Sequence, residues 1–488
     1  MLRSSISSSS PGRWAALALV VAAQFMVVLD VSIVNVALAA IKSDLHFSQA
    51  SLQWVISAYA IVFGGFLLLG GRLADLLGRR RLFIAGVAVF SLASVLCGLA
   101  WSSGSLVGFR AFEGLGGALF APAGLSLLMT TFREGRDRNL ALGLWGAASG
   151  SGAAVGVLLG GVLTSSLSWP WIFFINVPVG IAIVALSPRY LAEGRGLTTH
   201  RHFDIAGATS VTASLMLLVY GLTRATQVGW GSAETVSLLA ASALLAAAFV
   251  AIERRAAAPL LPFRVFRGNR LGTATLITSV IASIAFSQFF LLTLYMQQVL
   301  HYSAARSGVA FVAIAGTIAV MSNVSQRFVG RFGARPVLTA GLLLAAASEG
   351  LLVRLPTHGH YASDLLPSFL LIGVGMGISF IAVTIAALEG VVPADAGVAS
   401  GLVNTARQVG GAVGLAVVST IATSSAGHLA GAGEAAALTH GFRISFAVLA
   451  ALALGAALLA ALAFTPRRRT AHAEAARREE LLALDEAA

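Results

Sequence analysis

The sequence predicts an all-α, polytopic membrane protein with about fourteen transmembrane helices. Three observations predict it. Charged residues make up only 11% of the 488, and hydrophobic residues 57%, whereas ordinary soluble domains are about 25% charged. The apolar residues come in runs of roughly 18 or more, long enough to carry a helix across a bilayer. The arginines gather at the ends of alternate runs, the bias that marks the inner side of a membrane.

Taken in order, the first span is 14–38. Its apolar run is longer than the core of a signal peptide and no clean small-x-small cleavage site follows it, so it reads as an uncleaved span behind a short cytoplasmic segment, 1–13. The next five are 52–71, 82–101, 105–131, 139–165 and 170–188, joined by turn-like loops such as "WSSGS" at 101–105. Two more follow at 204–223 and 235–252. The last six are 271–298, 306–327, 336–355, 364–389, 396–424 and 442–464. The tail "PRRRTAHAEAARREELLALDEAA", 466–488, is charged and alanine-rich and reads as solvated and cytoplasmic. With the N-terminus inside, the inner segments hold clusters such as Arg79 to Arg81, Arg254 and Arg255, and Arg467 to Arg469. The outer loops hold only Lys42, Arg224, Arg306, Arg354 and Arg443. One missed span would scramble this alternation, so the even count and two cytoplasmic termini stand together. The formal charge of +12 is therefore spread over inner loops, and no basic domain suggests nucleic acid. Cys97 is the single cysteine and cannot pair within the chain; Lys42 is the only lysine among 32 basic residues, a bias of high-GC bacterial genomes.

Ionisable residues inside the spans carry the chemistry. The stretch "AAQFMVVLDVSIVNVAL", 22–38, places Asp30 roughly 24 Å beyond Trp14 along the helix, past the middle of the bilayer. A carboxylate there costs several kcal/mol and normally faces a water-filled cavity or a partner. Proton coupling or recognition of a cationic substrate outweighs a purely structural hydrogen bond. Arg110 and Glu113 in "GFRAFEGLGGAL" lie three apart and share a helix face. They read either as a self-neutralising ion pair or as a charge relay beside a cavity. Arg407 sits midway along its span. Glu349 lies toward the outer end of its own, where it either binds cations or reaches the interface. Gln288, Tyr295 and Gln298 are further candidates for a cavity wall. Gly152, Gly156 and Gly160 recur every fourth residue, with Gly161 beside them, and form a flat stripe for close helix approach. Static packing and a sliding surface are both compatible with it.

"GRLADLLGRRRLF" at 71–83 resembles the inner signature loop of the major facilitator superfamily. Gly71, Asp75, Gly78, Arg79 and Arg80 match, and Leu76 stands where a basic residue is usual. "SQRFVGRFGARPVL" at 325–338 is a half-matching copy, with Gly333 and Arg335 aligned to Gly78 and Arg80. Two related inner loops imply two related six-helix halves, the repeat logic of such transporters. The resemblance thus implies an N-terminal bundle over 14–191, two extra helices and a cytoplasmic loop over 192–270, and a C-terminal bundle over 271–465. Fourteen spans with these motifs look like the drug:proton antiporter branch. "LDVSIVNVAL" resembles that branch's first-span motif, with Asp30 in coupling, and "RAFEGLGGAL" its fourth-span motif, with Arg110 as relay and Glu113 in place of the usual glutamine. The glycine-rich fifth span resembles the antiporter motif, with Val157 in place of a proline.

The resemblance implies a proton-coupled exporter of drugs or other amphipathic small molecules in the bacterial inner membrane. Asp30 would face a cavity between the halves, and the 71–81 loop would latch the outward-facing state. A narrow metabolite exporter is the alternative, and an importer a weaker one. A membrane enzyme lacks support, because no metal-spaced cluster, G-x-S-x-G or P-loop is present. A channel would not need two homologous halves. No cofactor is expected, and the partners are a small-molecule substrate, protons and lipid, with the chain a monomer.

Overall fold

In lipid the backbone must satisfy its own polar groups, so apolar runs of this length fold as helices. Every expected span coincides with one. The protein, seen in a computed structural model, is described over residues 11–132, 136–193, 205–256, 263–266, 270–389, 391, 396–427 and 433–463, and no strand occurs among them. The N-terminal ten residues, the tail and much of the linker loops lie outside the described residues.

The first group is α1 (Pro11–Asp44), α2 (Trp54–Leu77), α3 (Arg79–Gly98), α4 (Ser103–Thr131), α5 (Arg136–Ser166) and α6 (Asn176–Tyr190), the last preceded by a short turn, Trp171–Phe174. Then come α7 (Ile205–Val228) and α8 (Ala233–Arg255). The final group is α9 (Leu271–Leu294), α10 (Ala304–Phe332), α11 (Ala334–Leu352), α12 (Leu366–Leu388), α13 (Ala396–Gly427) and α14 (Glu434–Ala463). One π-helical turn, Tyr295–Val299, extends α9 and another, Tyr361–Leu365, leads into α12. By length and composition 11 of these elements can cross a membrane. The other three, α2, α5 and α7, carry shorter apolar stretches, Trp54–Leu67, Val155–Ser166 and Ala206–Leu222.

The two groups pack alike. In the first, α1 lies on α5 and α6, α4 on α2 and α3, and α3 on α6; in the second, α9 lies on α13 and α14, α12 on α10 and α11, and α11 on α14. The halves meet through α2 against α13 and α5 against α10, two contacts that exchange when the halves are swapped. The helices α7 and α8 form a pair, and α7 covers the α2–α13 seam, where Thr212 Oγ1 donates to the Gly65 carbonyl at 2.9 Å.

Loops repeat as well. Gly78 and Gly333 turn α2 into α3 and α10 into α11 at φ of +104° and +84°, a region that glycine enters without steric cost. The same offset carries His46 (φ 53°) onto His301 (φ 55°), each in a left-handed conformation. It also carries Ser48 onto Ser303, whose side chains cap the one-turn helix Gln49–Leu52 and α10 respectively.

The halves touch at mid-helix, where a Cβ on Gly64 of α2 would meet Gln408 Cβ of α13 at 2.8 Å, and also at the helix ends away from the termini, called here the distal face. The Gln297 Nε2 donates to the Val36 carbonyl at 2.8 Å, and the Ala305 N–H donates to Ser165 Oγ at 3.1 Å. A Cβ on Gly161 would meet the Ala304 carbonyl oxygen at 2.8 Å, and one on Gly308 the Val157 carbonyl oxygen at 2.6 Å. On α1, Ile33 to Leu38 are all buried, whereas Val21, Ala22, Gln24, Phe25 and Val28 are half-buried. Three ion pairs near the termini each lie within one half: Arg13 with Asp137 at 3.1 Å, Arg80 with Glu193 at 3.2 Å, and Arg270 with Glu389 at 3.6 Å.

Candidate functional site

The charged residues of α1 and α4 meet inside the first bundle. The i, i+3 spacing puts Arg110 and Glu113 on one face of α4, and the glycines beside them let neighbours close in. A Cβ on Gly114 would meet the Tyr59 carbonyl oxygen at 2.5 Å, so α2 lies directly against α4. Arg110 Nε consequently reaches the Val55 carbonyl at 3.0 Å. Its NH1 donates to Asp30 Oδ2 at 2.7 Å and to Glu113 Oε2 at 2.6 Å.

A ring of neutral groups completes the cluster. Ser94 Oγ donates to Glu113 Oε1, and Cys97 Sγ lies 3.6 Å from Glu113 Oε2. Asn176 Nδ2 donates to Asp30 Oδ1 at 3.4 Å and to Ser94 Oγ at 3.3 Å. The guanidinium sits over the Tyr59 ring at 4.6 Å and the Phe173 ring at 5.7 Å, where the ring faces add attraction. Asp30 and Glu113 are 0% exposed and Arg110 1%. Two acids share one base, so with all three ionised the cluster holds one uncompensated negative charge. In a dry interior such a charge is costly, and one added cation, the smallest being a proton, cancels it.

This corrects the expectation for Asp30, which does not face a cavity between the halves. It points into the N-terminal bundle, because Arg110 and Asn176 draw it toward α4 and α6. Helical position alone could not orient it. Sequence reasoning also missed Ser94, Asn176 and Tyr59; their signal was polar atoms within apolar runs, which is common and weak.

The other expected residues scatter. Gly78 has no room for a Cβ beside the Glu193 carboxyl group. Arg80 donates from Nε to Glu193 and from NH1 to the Pro188 and Leu191 carbonyls. The Arg80 end of the loop thus docks on the end of α6, within one bundle, while Gly71 lies beside Pro122 of α4 and Arg79 is half-buried. The side chain of Asp75 lies outside the described residues. The glycine stripe packs on α1: a Cβ on Gly152, Gly156 or Gly160 would meet carbonyl oxygens of Phe25, Leu29 and Ile33 at 3.1, 2.8 and 2.8 Å. Only Gly161 reaches the other half.

Of the cavity candidates, Arg407 is exposed at mid-helix and donates to Asn404 Oδ1. Gln288 is buried with a free amide nitrogen, and Gln298 is half-buried with both amide atoms free. Tyr295 is fully buried and its hydroxyl donates to the Pro356 carbonyl at 2.6 Å, so it braces a distal loop and lines no open cavity. Glu349 is fully buried. It does not reach the interface, because its span turns it into the C-terminal bundle. Among the described residues no group of three His, Cys, Asp or Glu is arranged to hold a metal.

Comparison with known proteins decides the family. Residues 20–415 match the sequence profile of the Major Facilitator Superfamily. The chain belongs to the Major Facilitator Superfamily. It is 40% identical to the puromycin resistance protein of Streptomyces alboniger, covering 92% of this chain and 91% of that one. It is 40% identical to the cephamycin export protein of Amycolatopsis lactamdurans, covering 91% of each. It is 35% identical to the lincomycin resistance protein of Streptomyces lincolnensis, covering 95% of this chain and 94% of that one. Among solved structures, a peptide transporter in complex with sulfate matches with a TM-score of 0.69 at 16% identity, covering 93% and 94%. A bacterial homologue of the human lysosomal transporter Spinster, inward-facing and unoccupied, matches at 0.66 and 17%, covering 93% and 98%. As a Major Facilitator Superfamily member the protein is a multi-pass membrane transporter, not an enzyme, and the three relatives above are named for antibiotic resistance or export.

Proposed function

We propose that this transporter exports drug-like, amphipathic small molecules across the bacterial inner membrane by alternating access, driven by inward proton flow. The observation that carries the reading is the buried Asp30–Arg110–Glu113 cluster, whose two acids and one base leave room for one proton. The clustering of arginine at the terminal face makes that face cytoplasmic. The distal contacts between the halves support reading this arrangement as closed on the outer side. A substrate enters from the cytoplasm past the exposed Arg407, and the α2–α3 loop holds its bundle together as the halves rock. The resistance and export names of the relatives support a small-molecule antibiotic as cargo. The puromycin, cephamycin and lincomycin names each cite a single compound, which favours a second reading, export of one endogenous metabolite. The chain is read as a monomer with bundles at 14–191 and 271–465.

The test is ethidium efflux, with growth on puromycin and lincomycin, in cells lacking their own pumps. Protonophore-sensitive efflux of ethidium is the expected result. Growth on one antibiotic without ethidium efflux selects the narrow exporter. Efflux that survives a protonophore contradicts proton coupling.

A further inference from the structure

The coupling cluster lies wholly in the N-terminal bundle, and it leaves Glu349 unused. Glu349 is fully buried on α11, and neither of its carboxyl oxygens has a hydrogen-bond partner. Three residues, less than one turn, separate it from the distal end of α11 at Leu352.

Among the described residues no neighbouring element forms an ion pair or hydrogen bond with Glu349. The helix α12 carries no titratable residue at all. On α14 stand Glu434, His440 and Arg443, and Arg443 Nε is committed to the Leu355 carbonyl at 2.7 Å. On α10 stand Arg306, whose guanidinium stacks on the Tyr302 ring at 3.8 Å, Arg327, and Arg331, which lies over the Phe332 ring at 5.4 Å. In the turn before α12, Tyr361 donates to the Ala310 carbonyl, and Asp364 accepts from the His360 N–H. Arg335 begins α11 itself, at the opposite end. None of these groups hydrogen-bonds to Glu349.

The repeat explains the isolation. Gly86 packs against Gly116 and Phe120 as Gly341 packs against Gly375 and Ser379. The step from Gly86 to Gly341 carries Ser94 onto Glu349. The step from Gly116 to Gly375 carries Arg110 onto Phe369 and Glu113 onto Ile372. The C-terminal bundle therefore places a carboxyl where its twin places a hydroxyl, and an apolar wall where its twin places the guanidinium. An anion without partner or water is costly in such a place; the neutral acid is the form that fits. Ionisable side chains inside spans are rare and commonly mark proton routes.

We propose that Glu349 is a second proton-binding site, in the C-terminal bundle, that exchanges its proton with the outer solution when the distal face opens. This rests on the proton-coupled reading above, but its occupancy can be read without transport. Infrared difference spectra of the purified protein in lipid nanodiscs, titrated across pH, compare wild type with Glu349→Gln. The expected result is a neutral-carboxyl band, of the position typical of an acid without hydrogen bonds, present in wild type and absent from Glu349→Gln. A wild type without that band, or a band that persists in Glu349→Gln, overturns the assignment. If Glu349→Gln is not recovered from the membrane, Glu349→Asp serves, and the band must move. In proteoliposomes with an imposed proton gradient and ethidium as cargo, Glu349→Gln moves fewer protons per ethidium than wild type. An unchanged proton count makes Glu349 a structural acid and overturns its part in the cycle. Wild-type ethidium export that ignores the gradient sinks the coupling reading instead, and leaves the infrared result to decide whether Glu349 holds a proton.

Discussion

Arg110 is the residue on which the site turns. Its NH1 serves both Asp30 and Glu113 while its Nε holds the Val55 carbonyl, so one side chain ties α1, α2 and α4 together. Truncating one member of a buried charge network typically costs about 3–5 kcal/mol, because the remaining charges are left unpaired. Arg110→Ala is therefore expected to lower the thermal stability of the purified protein sharply and to abolish export. Arg110→Lys keeps the charge but lacks a planar fork to reach three oxygens. It should insert normally, unfold at a lower temperature and export at least tenfold more slowly, readable by thermal unfolding and dye efflux. The charges themselves were legible in the sequence, as ionisable residues inside apolar runs. Their direction was not, since helical position says nothing of which neighbour claims a side chain. Asp30 turned inward to the bundle for that reason, and Ser94 and Asn176 came unannounced.

At the scale of elements, the glycines of α5 act as a packing surface. Gly156 lies so close to α1 that a Cβ would meet the Leu29 carbonyl oxygen at 2.8 Å and Ser32 Cβ at 2.9 Å. Gly156→Val should force α1 and α5 apart, with an overpacking cost of about 1–3 kcal/mol, and displace Asp30 with α1. Reduced detergent stability together with loss of proton-driven efflux is the expected pair of results. The distal contact between α5 and α10 has a different role. Ala305 N lies 3.1 Å from Ser165 Oγ across the two halves, which makes the two positions neighbours and a cross-link between them a test. A Ser165→Cys, Ala305→Cys double variant should lose efflux when oxidised and recover it on reduction, because the distal face could no longer open. The native Cys97 is fully buried and would not compete. The spans themselves were legible because length and apolarity alone define them. Their ends were less so: α1 runs on to Asp44, beyond the expected 38, since a helix does not stop where the hydrocarbon does.

At the scale of the molecule, the two-fold repeat organises everything else. It was half legible from the glycine loops at 71–83 and 325–338. A cleaner signal went unread: "LHFS" at 45–48 and "LHYS" at 300–303, which the structure turns into matching left-handed histidines and serine caps. The repeat is geometric, not chemical. The first half holds the charge cluster, and the second puts Phe369 and Ile372 in the equivalent places. Coupling on this account starts in the N-terminal bundle, without whose proton the halves do not cycle and Glu349 does not exchange; the pairings of α2 with α13 and α5 with α10 carry its effect to the other half.

The most direct test of that claim is proton movement evoked by the cargo itself. In everted vesicles held at a steady proton gradient, ethidium is added and the internal pH followed, for wild type and for Asp30→Asn at matched amounts in the membrane. The account predicts proton release on adding ethidium in wild type and none in Asp30→Asn, because the cluster without Asp30 is already neutral and has no proton to exchange. Equal proton release from the two proteins would contradict it.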